Sequence, residues 1–249
     1  MWGAMRLTVL LGVLVLAASL ATAACGGSKK GGSTATVPAA GSTASRSAAT
    51  RPMTIDQARA LLARASLEPA DLPAGWKVMT DTTTDNAAAA AADPSSAASN
   101  ARCGRLLGRT VADQPADPVS AFISGQTVSY FSSLTVYATA AGAIDCSNEA
   151  AARYQQPGEL AKAFGTLFTD PKAVVVKPVT FPATGDGSFA ATLAGKVNVS
   201  GTIIDLTVLV VGFRKGNVTA VVGSAANEPP PMADLTPLVN LVLRRIAAG

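Results

Sequence analysis

No histidine occurs in the 249 residues, and that absence removes whole classes of chemistry. Ser-His-Asp and Cys-His nucleophilic mechanisms depend on an imidazole base, so neither can operate here. Of the three cysteines, only Cys103 and Cys146 lie beyond the N-terminal region, and two thiolates alone would leave a zinc site half filled. Charged residues make up 14% and aromatic residues 5% of the chain. Gly185-Asp186-Gly187 is glycine-rich but is followed by strand-like rather than helical sequence. It reads as a hairpin turn and not as a phosphate cradle, and no cofactor is expected.

What the chain does contain begins at its N-terminus. Arg6 leads into an apolar run from Leu7 to Leu20, and Thr22, Ala23 and Ala24 then precede Cys25 and Gly26-Gly27. A basic start, a short apolar core and small residues at the end describe a secretory signal, with Met5 as an alternative start to Met1. A membrane-spanning anchor needs about 20 apolar residues, more than this run supplies. The Thr22-Ala23-Ala24-Cys25 site resembles the lipobox of bacterial lipoproteins, departing from it in having Thr22 where Leu is usual. The resemblance implies removal of residues 1–24 and a lipidated Cys25 as the mature N-terminus, with diacylglycerol on its sulfur and a further acyl chain, such as palmitate, on its amine.

Charge placement then corrects a tempting reading of partners. The chain has 20 Lys and Arg against 16 Asp and Glu, which at face value suggests nucleic acid. Setting aside the five cations Arg6, Lys29, Lys30, Arg46 and Arg51 leaves 15 basic residues against all 16 acidic ones. The remaining domain is nearly neutral and carries no electrostatic footprint for nucleic acid. The basic excess sits in the signal and in residues 25–51, a Gly/Ser/Thr/Ala segment that buries too little to offset its ordering entropy and is expected to act as a flexible tether. Cations there favour an anionic leaflet.

Residues 52–249 are long enough for one domain with a sizeable core. Export would place Cys103 and Cys146 in an oxidising compartment, where an even pair is more often a disulfide than a metal site or a nucleophile. Thr54-Ile55-Asp56-Gln57 has the capping-box pattern and opens a helix to about Ser66. A turn-rich stretch leads to a short strand near Trp76–Met79. Residues 81–101, with six consecutive alanines, read as a low-complexity surface insertion. Val128, Tyr130, Ser132, Leu134 and Val136 share one parity in a long strand, with Ala121-Phe122-Ile123 as a shorter partner. Helices are expected over about 140–155 and again through Leu160, Phe164 and Phe168. Four Val/Ile/Thr-rich strands follow, punctuated at Gly185-Asp186-Gly187, Gly195-Lys196 and Lys215-Gly216, and a closing helix begins near Asp234. The fold class is α+β: a curved antiparallel sheet of about six strands with three to four packed helices.

That element order, together with Ala70-Asp71-Leu72-Pro73-Ala74-Gly75-Trp76 and Phe213-Arg214-Lys215-Gly216-Asn217-Val218, resembles the soluble domains of actinobacterial surface lipoproteins. The strings bring no catalytic residue with them. Asp145 and Glu149 are four apart on an expected helix and could pair as carboxylates, but a solvated face explains them better. Asp81, Asp85 and Asn86 lack the spacing of a calcium loop. Trp76 is the one candidate ligand contact, with core packing the stronger account. Asp205 and Lys177 are read as outward-facing on their strands.

These residues point to a non-enzymatic extracytoplasmic lipoprotein, held to the cell membrane by its lipid, that binds or senses something in the envelope. The alternatives are a lipid or glycolipid carrier with an apolar cavity between sheet and helices, and a scaffold that contacts other envelope proteins. Cys25→Ala should move the protein from the membrane fraction to the soluble fraction. Intact-mass analysis of the wild type should find Cys25 at the N-terminus carrying acyl mass, and an unmodified protein with a different first residue would refute the anchor.

Overall fold

A computed structural model describes residues 52–92, 94–154, 168–170, 173–199 and 201–248. The Cys25 site, the 25–51 tether and most of the helix expected around Leu160–Phe168 fall outside the described residues. Helix α1 (Ile55–Ala65) starts at the predicted box: the Thr54 hydroxyl accepts the Gln57 N–H at 3.3 Å, and Gln57 Oε1 accepts the Thr54 N–H at 2.9 Å. Each side chain satisfies one orphan donor of the first turn. A 3₁₀ turn (Pro69–Asp71) then leads to β1 (Lys77–Asp85). Next come α2 (Asn86–Ala92), α3 (Pro94–Arg102), β2 (Arg105–Gln114), α4 (Pro118–Ile123), β3 (Ser129–Tyr137) and α5 (Ala140–Tyr154). Strands β4 (Val175–Pro178), β5 (Gly187–Val199), β6 (Thr202–Lys215) and β7 (Val218–Ala226) precede the closing helix α6 (Met232–Ala247).

The seven strands form one sheet in the order β1-β2-β3-β7-β6-β5-β4, antiparallel at every pairing. Two meanders, β1-β2-β3 and β4-β5-β6-β7, are thus joined along β3 and β7. One face packs α1 and α6 onto Leu134, Val136, Leu209, Val211, Phe213 and Val222. The opposite face buries Phe131, Leu193, Leu206, Val208 and Val210 with Phe168, Val174 and Ala121 of α4. Cover on both faces explains why β6 is buried from Leu206 through Phe213 without alternation. It also explains why all nine residues of β3 are buried.

Several expectations change. The sheet has seven strands rather than about six, and six α-helices among the described residues rather than three to four; β2 was not foreseen, since its sequence Arg-Leu-Leu-Gly-Arg-Thr-Val-Ala-Asp-Gln places charges where an alternating signal would be read. Ala121-Phe122-Ile123 is helical, since Asp117 caps α4 by accepting the Ser120 N–H and Pro118 occupies the first helical position. Residues 81–101 are not one insertion: 81–85 complete β1, and the alanine-rich remainder folds as α2 and α3 against β1 and β2. Gly195 lies inside β5, where the Phe168 ring fills the space a Cβ would occupy. The reversal falls instead at Gly201, at φ 88°, whose N–H donates to Asn198 Oδ1 at 2.7 Å. The final helix begins at Met232, two residues before the position expected, so Pro237 lies within it.

A disulfide joins Cys103, just after α3, to Cys146 on α5, with Tyr137 and Ala143 buried around it. Gly142 meets the Cys103 carbonyl so closely that a side chain there would overlap it. The bridge closes a sequence separation of 43 residues, for which chain entropy gives about 4 kcal/mol before strain. Reduction, or the Cys103→Ala/Cys146→Ala pair, should lower the melting temperature by about 5–15 °C in thermal unfolding. Both thiols free in natively exported protein would overturn the bridge.

Candidate functional site

Helix α1 presents Gln57, Ala60, Leu61 and Arg64 on one side, at the i, i+3, i+4, i+7 spacing of a single face. This face borders a groove of about 570 Å³, walled on its other sides by Met53, by Ala138-Thr139-Ala140 between β3 and α5, and by Gly216-Asn217 at the β6–β7 turn. Two contacts fix the walls to one another. The Met53 N–H donates to the Ala138 carbonyl at 3.0 Å, and Asn217 Nδ2 donates to the Tyr137 carbonyl at 2.7 Å. The turn is braced from outside by Asp186, whose carboxylate accepts the Gly216 N–H at 2.7 Å and Lys215 Nζ at 3.1 Å. The Gly216 N–H, aided by Lys215 and Arg214, holds the Asp186 carboxyl below the usual range. The groove therefore has an apolar floor, amide and hydroxyl groups, and one formal charge, that of Arg64.

Trp76 sits elsewhere. It is half-buried and its ring lies 5.0 Å from that of Tyr130, on the face covered by α1 and α6. Register places Asp113 directly across from Tyr130 on one side and Val78 on the other, and places Ser224 beyond Tyr130. Asp113 is fully buried and neither carboxylate oxygen has a hydrogen-bond partner among the described residues; nor has the Ser224 hydroxyl. Burial, with Asp71 and Asp81 adding repulsion, pushes the Asp113 carboxyl up to about 6. Two arginines nearby are already committed. Arg245 holds Asp71 through two contacts at 2.7 Å and donates to the Ser66 carbonyl. Arg109 holds Asp81 at 2.8 and 2.9 Å and donates to the carbonyls of Leu62 and Ala63 at the end of α1.

The other candidates are dispersed. Asp145 is exposed on α5, and the Glu149 side chain is outside those described. Asp81 is taken by Arg109, Asp85 caps α2 by accepting the Ala88 N–H at 2.7 Å, and Asn86 is half-buried behind it. No group of three or more Cys, Asp or Glu gathers in metal-binding proximity among the described residues. Lys177 and Asp205 face solvent, the latter paired with Lys196 at 2.9 Å. Gly185-Asp186-Gly187 ends a longer β4–β5 connection and ties down the β6–β7 turn, so it is no tight hairpin. The groove residues Gln57, Arg64 and Asn217 were not read from the sequence as ligand contacts, Gln57 being noted for its capping box and Asn217 as part of a turn string. The one available signal was the polar-edged stripe of α1 beside its apolar one.

No protein-family model and no curated protein matches the chain. Among solved structures, the extracellular domain of PknH from Mycobacterium tuberculosis is similar at a TM-score of 0.46 and 10% identity, over 80% of this chain and 98% of that one. No helix among the described residues is long and apolar enough to cross a membrane.

Asp113 makes stability depend on pH with a definite sign. Its folded-state value near 6 lies above the ordinary 3.8, so between those limits the native state holds the proton more tightly than the unfolded chain. The contribution of Asp113 to stability should be fully present below about pH 4, fall as pH rises to about 6, and level off above, by about 2–3 kcal/mol in total. Asp113→Asn should abolish that slope and raise the melting temperature at pH 7.5. An unchanged pH profile in the variant would remove Asp113 as its source.

Proposed function

We propose that this chain is a lipid-anchored envelope protein whose extracytoplasmic domain binds a small ligand in the groove beside α1, without turning it over. The groove carries the reading. Its volume of about 570 Å³ falls within the roughly 300–1,000 Å³ of small-molecule sites, and its mix of apolar wall with a few convergent polar groups is their usual composition. Gln57, Thr139 and Asn217 offer donors and acceptors, and Arg64 favours a ligand with an anionic group. The lining contains no carboxylate, cysteine or lysine. With histidine absent from the whole chain, that leaves no evident general base or activated nucleophile at the groove.

Placement outside the cytoplasm is supported by the signal-like N-terminus and by the Cys103–Cys146 bridge, since such bridges persist in oxidising compartments. Met53, a wall of the groove, follows the tether by a single residue, so a ligand in the groove would be met at the root of the anchor, near the leaflet. The carrier reading calls for a cavity between sheet and helices. Beneath α1 and α6 that space is occupied by Leu61, Leu62, Leu209, Val211, Leu235 and Val239, all buried, and this favours binding in an open groove. A scaffold role would use the exposed surface instead and would leave the groove empty.

Native mass spectrometry of the protein purified from its own membrane should show a retained small molecule. Ala60→Trp, placed on the exposed rim of the groove, should lose that molecule while keeping the melting temperature, and Asp145→Asn should keep it. Equal retention by Ala60→Trp would refute the groove as the site. Turnover of an envelope substrate that one serine or carboxylate change abolishes would replace the binder with an enzyme.

A further inference from the structure

The face of the sheet opposite α1 and α6 is polar where β1, β2 and β3 run beyond the apolar pair Ala112 and Phe131. Register aligns Thr84, Gly108, Thr135 and Thr219 in one cross-strand row, and Thr82, Thr110 and Ser133 in the next. Into this hydroxyl-lined floor projects Arg105, only 3% exposed. Its guanidinium lies over Gly108, where a Cβ would come within 2.6 Å of Nη2, and Nη2 donates to Thr84 Oγ1 at 2.9 Å. Nε and Nη1 have no acceptor among the described residues. The Thr135 hydroxyl, on the other flank of Gly108, also lacks a partner.

A guanidinium cannot shed its proton to escape burial, and an uncompensated buried charge costs several kcal/mol. Tyr137, opposite Arg105 in the ladder, and Asp85 act on Arg105 only through space, the Asp85 Oδ1 being engaged with the Ala88 N–H. The orphaned atoms on Arg105 are all donors, and a hydroxyl can donate as well. Two unpartnered groups on either side of one glycine therefore call for the same thing, an acceptor-rich negative group. We propose that Arg105, with Thr84 and Thr135, forms a buried site for a small oxyanion, a phosphate, a phosphomonoester headgroup or a carboxylate, separate from the groove. The site shares no residue with the groove lining, so its success or failure is independent of the ligand-binding role assigned there. Gly108 is the notch that makes room for the guanidinium, and the bound oxygen atoms would take up the Nε and Nη1 hydrogens.

Thermal unfolding of the full-length protein in detergent, at constant ionic strength, tests the site with inorganic phosphate, acetate and a short-chain phosphatidic acid, each against chloride. At least one should raise the melting temperature saturably in the wild type, and which one does so identifies the source of the oxyanion. Arg105→Gln should abolish the response. Thr135→Val, which keeps the volume and loses the hydroxyl, should shift its midpoint about tenfold towards higher concentration, the worth of one hydrogen bond to a charged group; this variant decides the matter if Arg105→Gln fails to fold. No stabilisation beyond chloride in the wild type, or an undiminished response in Arg105→Gln, would overturn the proposal.

Discussion

Burial of the sheet on both faces is the constraint on which the rest of the architecture depends. Strand β3 has no exposed residue, so every polar group it carries needs a partner inside the fold. The sequence meets this demand unevenly. Ser132 accepts the Leu67 N–H at 3.2 Å, which seats the chain leaving α1, and Ser133 and Thr110 share a hydrogen bond at 3.1 Å. Thr135, Asp113 of β2 and Ser224 of β7 find no partner among the described residues, and these unmet groups mark two regions where the interior departs from pure packing. The face under α1 and α6 is otherwise filled by aliphatic side chains together with Tyr130, Phe213 and Trp76.

Long-range ion pairs close the helical layer over that face. Arg245 near the end of α6 grips Asp71 of the 3₁₀ turn, and Arg109 of β2 reaches both Asp81 and the last carbonyls of α1. These are not isolated surface contacts, which contribute little. Each is a two-point, charge-assisted arrangement with backbone carbonyls as additional acceptors. Positive side chains thereby meet the carbonyl end of α1, where the helix dipole favours them.

The strings Ala70–Trp76 and Phe213–Val218 acquire physical roles in this setting. Asp71 is the carboxylate that receives Arg245 and the Glu68 N–H, and Trp76 covers Tyr130. Gly216 and Asn217 shape the groove wall. Local chemistry was legible from the sequence wherever it is short-ranged: the Thr54–Gln57 box, the Gly216 turn and the buried stripe of α6 are all written in residues a few positions apart. What could not be read there depends on distant partners. Strand β2 looks polar until its neighbours β1 and β3 are in place, Gly195 looks like a turn until Phe168 is seen against it, and the groove needs three segments far apart in the chain.

Met53 has a mechanical meaning as well. Its N–H is bonded to the carbonyl of Ala138, which directly follows β3, and its sulfur receives Asn217 Nδ2 at 3.5 Å. A pull on the chain ahead of residue 52 therefore reaches an inner strand of the sheet and the turn joining β6 to β7, rather than peeling an edge strand away. The first contacts to bear such a load are the walls of the groove, so the point where force enters the domain and the point where a ligand would sit are one place.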